Sequence, residues 1–442
     1  MTQEAAASDG QLPGLLIEGA ASIATMAGGL RRGTAQADSA ELTGPHLAVA
    51  AWRSRILAAG SSDDVHRQIV ADGFPLEAFE RLDAAGGLIT PGLIDAHTHL
   101  VFAGTREAEW QMRARGAGYL EILAAGGGIL STVAATRAAS DEELLVAARG
   151  RLAEMLANGT TTAEAKSGYG LTVASELRLL ETIGRLGGEG PVQLVPTFLG
   201  AHAVPADYGD HANGTEAYVT SVVRDQLPAV ASQGIARFCD VFCETGVFSA
   251  EQAARVLQAA ASFGLARRVH ADELAPSGGA ELAAELGCLS ADHLAALSEE
   301  GVAALVRVAD SGHPVVATLL PATSWFLGKH HFAPARRFVD AGIPVALATD
   351  LNPGTSPTVS LQLVMSIACV EMALTPAEAL AAVTINAAHS LGLGSEIGSI
   401  EPGKQADLVV WDMPALEQIP YWIGSNRVRT VVKRGVAVLS RA

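Results

Sequence analysis

Between Pro91 and Leu393, short apolar runs alternate with helix-compatible segments, and no other feature of the sequence constrains the fold as much. Eight runs read as buried strands: GLIDAHTHL (92–100), TTTAEAKS (160–167), VQLVPTFLGAH (192–202), FCDVFCE (238–244), ARRVHADE (266–273), CLSADHL (288–294), VVATLLP (315–321) and PVALATD (344–350). Among the segments between them, DEELLVAARGRLAEMLANG carries apolar residues at helical spacing. It and SAEQAARVLQAAASFG both end in Gly, a common helix stop. Eight strands alternating with helices are the signature of an α/β fold closed into a (β/α)8 TIM-type barrel.

Both chain ends read differently. GPHLAVAAW and GGLIT near the start, and EPGKQADLVVWDM through RVRTVVKRGVAVL near the end, are short strands joined by turns.

The composition fits a large folded core. Of 442 residues, 49% are hydrophobic and 17% charged, which excludes a disordered chain. A formal charge of −17 argues against a nucleic-acid partner, because binding polyphosphate needs clustered positive charge. It leaves room for an anionic small molecule, which needs one local cation. No apolar run is long enough for a membrane span, and the opening MTQEAAASDGQLPG lacks the basic start and apolar stretch of an export signal. A cytoplasmic protein is the expectation. Cys239, Cys243, Cys288 and Cys369 show no metal or redox spacing and read as reduced thiols, with Cys239 and Cys243 on one strand face.

Seven of the eight runs end in ionisable residues: His97 with His99, Lys166, His202, Glu244, His270 with Glu273, His293, and Asp350. The C-terminal ends of barrel strands converge on one face, where barrel active sites sit. His97 and His99 are separated by one residue and so point the same way from a strand. With His270 and Asp350 they make an N3O ligand set that suits zinc or iron. A metal in such a site lowers the pKa of a water from about 15.7 toward 7. Glu273, His293 and Asp350 are three candidates for moving the proton. Arg106 follows His99 by seven residues. Its guanidinium suits a substrate carboxylate, gripped by two parallel hydrogen bonds; the alternative is a pair with Glu107 or Glu109 on a solvated surface. KSGYG (166–170) and NPGTSP (352–357) are glycine-containing loops at strand ends, and AGGGI (125–129) reads as a flexible loop beside the site.

At these residues the chain resembles the amidohydrolase superfamily and, more narrowly, the imidazolonepropionase family. DAHTHLVFAGTRE, EAKSGYGLT, TFLGAHAVP, HADELAPSGGAELAAELG, SADHL, LATDLNPGTSPT and TINAAHSLG carry the resemblance. It implies a barrel over 90–399 and a small β-sandwich domain built from 1–89 plus 400–442. It implies one Fe or Zn ion per subunit on His97, His99, His270 and Asp350, and substrate contacts from Arg106, Tyr169, His202, Glu273, Asn352, Gly354 and Thr355. His293 matches the position that orients the water. The implied reaction is hydrolytic opening of 4-imidazolone-5-propanoate to N-formimidoyl-L-glutamate, by a homodimer. Lys166 stands near where other members carry a carboxylated lysine, but the one-metal subfamily implies an unmodified lysine. A nucleobase deaminase on the same barrel is the second reading. A non-catalytic relative would lack ligands, and none is missing here.

Overall fold

The computed structural model describes residues 13–118, 121–122, 126–209 and 212–441. Residues 1–12, on which most of the reading of the N-terminus rests, lie outside the described residues.

The chain opens with β1 (Gly14–Ala24), β2 (Glu41–Trp52), β3 (Arg55–Ser61), β4 (Phe79–Asp83) and β5 (Leu88–Pro91). The barrel follows as β6 (Leu93–Asp95), β7 (Thr160–Lys166), β8 (Gln193–Ala201), β9 (Phe238–Cys243), β10 (Ala266–Ala271), β11 (Ser290–His293), β12 (Val316–Leu319) and β13 (Val345–Leu347). The tail adds β14 (Leu408–Trp411), β15 (Val428–Lys433) and β16 (Val436–Ser440). Strands β6 to β13 pair in chain order, each parallel to the next. The first and last are joined at their ends: the Asp350 N–H donates to the His97 carbonyl at 3.1 Å and the His99 N–H to the Leu351 carbonyl at 2.9 Å. That seam places the metal-ligand candidates of the first and eighth strands side by side.

Here the chain departs from the sequence expectation in one detail. The GLIDAHTHL run keeps ladder pairing with β7 over Leu93–Asp95. Beyond it, Thr98 bridges Leu351 on the other side and its carbonyl accepts from the Lys166 N–H at 3.0 Å. The segment is therefore shared between two neighbours, and His97 and His99 flank the bridged Thr98.

The two helices read from the sequence form where expected. Asp141–Ala157 is capped by Ser140 and Ala250–Ser262 by Ser249, each in a reciprocal capping box that satisfies orphan N–H groups. Such a cap contributes about 1 kcal/mol. Gly264, at φ +80°, takes the left-handed conformation that ends the second.

The eight remaining strands form one sheet from both chain ends, in the order β16-β15-β14-β5-β1-β2-β3 with β4 beside β1. Alternation along the strands gives the sheet two apolar faces. Leu408 and Val410 of β14 join Ile17, Val49 and Val432 in the core of the small sheet. Val409 and Trp411 face the other way and belong to the barrel's core. Period-two patterning in β14 thus packs the sheet onto the barrel. Among the described residues, no helix is long and apolar enough to cross a membrane. All four cysteines are free, with Cys239 and Cys243 in the barrel core.

Candidate active site

Strand ends bring the histidines together. Ring centroids of His97 lie 5.4 Å from His99, 4.5 Å from His270 and 5.5 Å from His293. His99 stacks on His202 at 4.7 Å with 12° between planes. Asp350 Oδ1 lies 3.5 Å from Nε2 of both His97 and His99. Donor atoms of His97, His99 and Asp350 form one group close enough to share an ion; His270 forms others with His97 and His293, and with His99 and His202.

The donors fit a cation. His97 Nε2, His99 Nδ1 and both ring nitrogens of His270 are buried without a well-aligned hydrogen bond, although His270 Nδ1 lies 2.9 Å from Asp240 Oδ2. Orphaned buried ring nitrogens are costly unless something else occupies their lone pairs. Burial also pushes the pKa of His97 and His99 well below the usual value, which leaves the neutral imidazoles that metals bind. Asp350 sits at φ +54° and His293 at φ +76°, conformations that non-glycine residues adopt at a cost and that cluster at functional sites. Thr323 Oγ1 donates to Asp350 Oδ2 at 2.6 Å. Burial raises the Asp350 carboxyl to about 7 in the absence of an ion.

Glu273 Oε2 lies 3.7 Å from His293 Nε2, beyond hydrogen-bond reach. Burial raises its carboxyl pKa, against the opposing charges of Lys329 and His270. Glu273, His293, Thr323 and Lys329 line one pocket with Leu320 and Met372.

On the opposite side, Tyr169 is buried, its ring 5.6 Å from His99 and 5.4 Å from His202. His202 Nδ1 meets the Gly168 carbonyl at 3.0 Å, and burial lowers its pKa to about 3. Arg106 Nε and Nη2 donate to the two oxygens of Glu109 at 2.9 and 2.8 Å. The pair is largely buried, not the solvated surface pair of the alternative reading. Glu109 also accepts from the Gly128 N–H at 3.0 Å, so AGGGI is tied to Arg106 through one carboxylate; Ala125 of that motif lies outside the described residues.

The NPGT turn is self-braced. Asn352 Oδ1 accepts from the Gly354 N–H at 2.9 Å and the Thr355 N–H at 2.8 Å, and its Nδ2 donates to the Asp350 carbonyl at 2.7 Å. Its side chain thus couples the turn to a candidate ligand. A Cβ on Gly354 would come within 1.9 Å of Arg106 Nη1, so glycine there makes room for the guanidinium.

Under the histidines lies a buried ionic cluster. Lys166 Nζ is 2.7 Å from Glu164 Oε1, 2.7 Å from Asp240 Oδ2 and 3.8 Å from Asp292 Oδ2. Carboxylating this lysine would put a fourth anion among three; the surroundings suit an ammonium.

The chain matches the amidohydrolase family over residues 88–438. It is 52% identical over 385 residues to an imidazolonepropionase of Geobacillus kaustophilus, covering 87% of this chain and 88% of that one. A Symbiobacterium thermophilum imidazolonepropionase is 47% identical over 422 residues, covering 95% and 96%. The chain belongs to the imidazolonepropionase family. It is a hydrolase acting on C–N bonds. Solved structures show the same fold at low identity. A 5-methylcytosine deaminase from Klebsiella pneumoniae superposes with TM-score 0.70 at 16% identity, covering 97% of this chain and 98% of that one. A zinc-bound adenosine deaminase from Xanthomonas campestris gives 0.66 at 20%, covering 96% and 93%.

Sequence reasoning toward this imidazolonepropionase-type site missed four residues. Asp292 Oδ2 is 2.7 Å from His97 Nδ1, and Asp240 Oδ2 is 2.9 Å from His270 Nδ1. Thr323 braces Asp350, and Lys329 lines the pocket. The signal for the aspartates was present: FCDVFCE and SADHL each place a carboxylate inside an apolar strand, where it needs a partner.

Proposed function

We propose that the chain opens the ring of 4-imidazolone-5-propanoate by hydrolysis, giving N-formimidoyl-L-glutamate, with one Fe or Zn ion held by His97, His99, His270 and Asp350. The observation that supports the site assignment is the convergence of His97 Nε2, buried without a hydrogen-bond partner, and His99 Nε2 on Asp350 Oδ1, each at 3.5 Å. When bound, the ion supplies Lewis acidity toward a carbonyl and a water.

The chain's own groups do the rest. The water oxygen adds to the ring carbonyl carbon, the ring C–N bond breaks, and the departing nitrogen takes a proton. Glu273 carries that proton from the water to the nitrogen. Among the described residues it has no hydrogen bond that would hold it elsewhere, burial keeps it easier to protonate than an exposed carboxylate, and it shares the pocket with His293. Asp350 is committed to Thr323 and the ligand set. His293, neutral through burial, hydrogen-bonds the reacting water or the developing oxyanion. Arg106 takes the propanoate tail on its remaining edge, beside Gly354. Tyr169 and His202 wall the ring, and Asn352, Gly354 and Thr355 shape the turn that holds Arg106 in place. The protein is a cytoplasmic homodimer on the family resemblance.

Turnover of a panel of rings tests the reading. Imidazolonepropanoate should react and the same ring without its carboxylate should react poorly. Preference for a nucleobase amidine would support the deaminase reading instead.

A further inference from the structure

Two cations and three carboxylates are enclosed within the barrel below the imidazoles. Lys166 (β7), Arg268 (β10), Glu164 (β7), Asp240 (β9) and Asp292 (β11) are all fully buried. Lys166 joins Glu164 to Asp240. Arg268 Nη2 lies 3.1 Å from Asp292 Oδ2 and donates to the Ala96 carbonyl at 2.8 Å; its Nη1 donates to the Ser390 carbonyl at 2.8 Å. Ser290 Oγ donates to Asp292 Oδ1. Asp240 Oδ1 accepts from the His270 N–H at 3.1 Å and the Val241 N–H at 2.7 Å. Each aspartate thus meets its cation and an imidazole at the same oxygen, Oδ2.

We propose that this cluster is a charge platform that sets the metal affinity of the site. Lys166 and Arg268 act as positioning residues: they fix Asp240 and Asp292, which fix His270 and His97 with Nδ1 toward a carboxylate and Nε2 toward the ion. The geometry carries this. His97 Nδ1 is 2.7 Å from Asp292, while its Nε2 has no protein partner. A carboxylate behind a metal-binding imidazole holds the tautomer and raises ligand basicity. Lys166 Nζ contacts Glu164, Asp240 and Asp292, and Arg268 Nη2 contacts Asp292, so the two cations reach the imidazoles through the aspartates.

The inference rests on the ligand assignment above, and the test separates the two. Purified protein is stripped with a chelator and titrated with Zn2+ against a chromophoric competitor, while thermal unfolding of the stripped form is followed in parallel. If stripped wild type binds no Zn2+ tightly, the ligand assignment fails. If it binds one equivalent, Asp292→Asn should weaken Zn2+ binding about 10- to 100-fold. Lys166→Met should weaken it too, and Lys166→Met with Asp240→Asn should be no weaker than Asp240→Asn alone, because both act through one carboxylate. Should Lys166→Met not fold, the isosteric Glu164→Gln, which takes away one of the two carboxylates that hold Lys166 against Asp240, should still weaken binding. A purely structural cluster would lower the melting temperature of the stripped protein and leave Zn2+ affinity within twofold of wild type. That result, or additive losses in the double variant, would overturn the proposal.

Discussion

One edge of the Arg106 guanidinium is held by Glu109, with Nε and Nη2 at 2.9 and 2.8 Å from its two oxygens, while Nη1 lies over Gly354. The residue is neither loose nor exposed: its direction is fixed before any carboxylate arrives. Pre-orientation of this kind reduces the entropy lost when the ligand binds.

Arg106→Ala should therefore raise KM for imidazolonepropanoate by about 10- to 100-fold, corresponding to a charge-assisted bond of about 1.5–3 kcal/mol. Bound metal should not change. Steady-state kinetics with metal quantified in the same preparation checks this. An unaltered KM removes Arg106 from the carboxylate role.

Gly354→Ala should act through the same guanidinium. The added Cβ would fall 1.9 Å from Arg106 Nη1, and the side chain must swing away. KM should rise with metal retained, and combining Gly354→Ala with Arg106→Ala should add little to the second change alone. Additive effects in that cycle would show that Gly354 acts elsewhere.

Glu109 provides a pH signature. Burial pushes its carboxyl up, but bonds from Arg106 and the Gly128 N–H outweigh this and hold it below its usual 4.5. A carboxyl with a depressed folded pKa contributes stability above its unfolded pKa and loses it as pH falls through the folded value. The melting-temperature advantage of wild type over Glu109→Gln should be full near neutrality and shrink on acidification below about pH 4.5. Unfolding scans of both proteins across that range decide it. A gap independent of pH would assign the stabilisation to packing.

Glu273→Gln should keep its metal and lose kcat by about 10²–10⁴-fold, the usual contribution of a positioned proton carrier. The amide fills the same space and cannot take the proton. If turnover persists near wild type, His293 or Asp350 moves the proton.

How much of this was legible in the sequence depends on range. His97, His99, His270 and Asp350 could be read because each closes an apolar run, and barrel geometry brings run ends together. The alternation behind the capped helices at 141–157 and 250–262 is local and was equally visible. Asp292 was hidden by its neighbour: SADHL was read for His293, but Asp292 beside it meets His97, 195 residues away. Pairing across such a distance leaves no trace in spacing. Arg106 illustrates a choice the sequence left open. Its two readings, substrate grip or pair with Glu109, were set against each other, and the fold places Glu109 on one edge of the guanidinium while leaving the other turned toward Gly354.

The most direct test follows metal and product together. Wild-type protein is stripped of metal, reconstituted with Fe or Zn, and given 4-imidazolone-5-propanoate, with His270→Ala treated alongside. Wild type should lose activity on stripping and regain it in proportion to bound metal up to one equivalent, yielding N-formimidoyl-L-glutamate, while His270→Ala regains neither. Full turnover by rigorously metal-free protein would contradict the account.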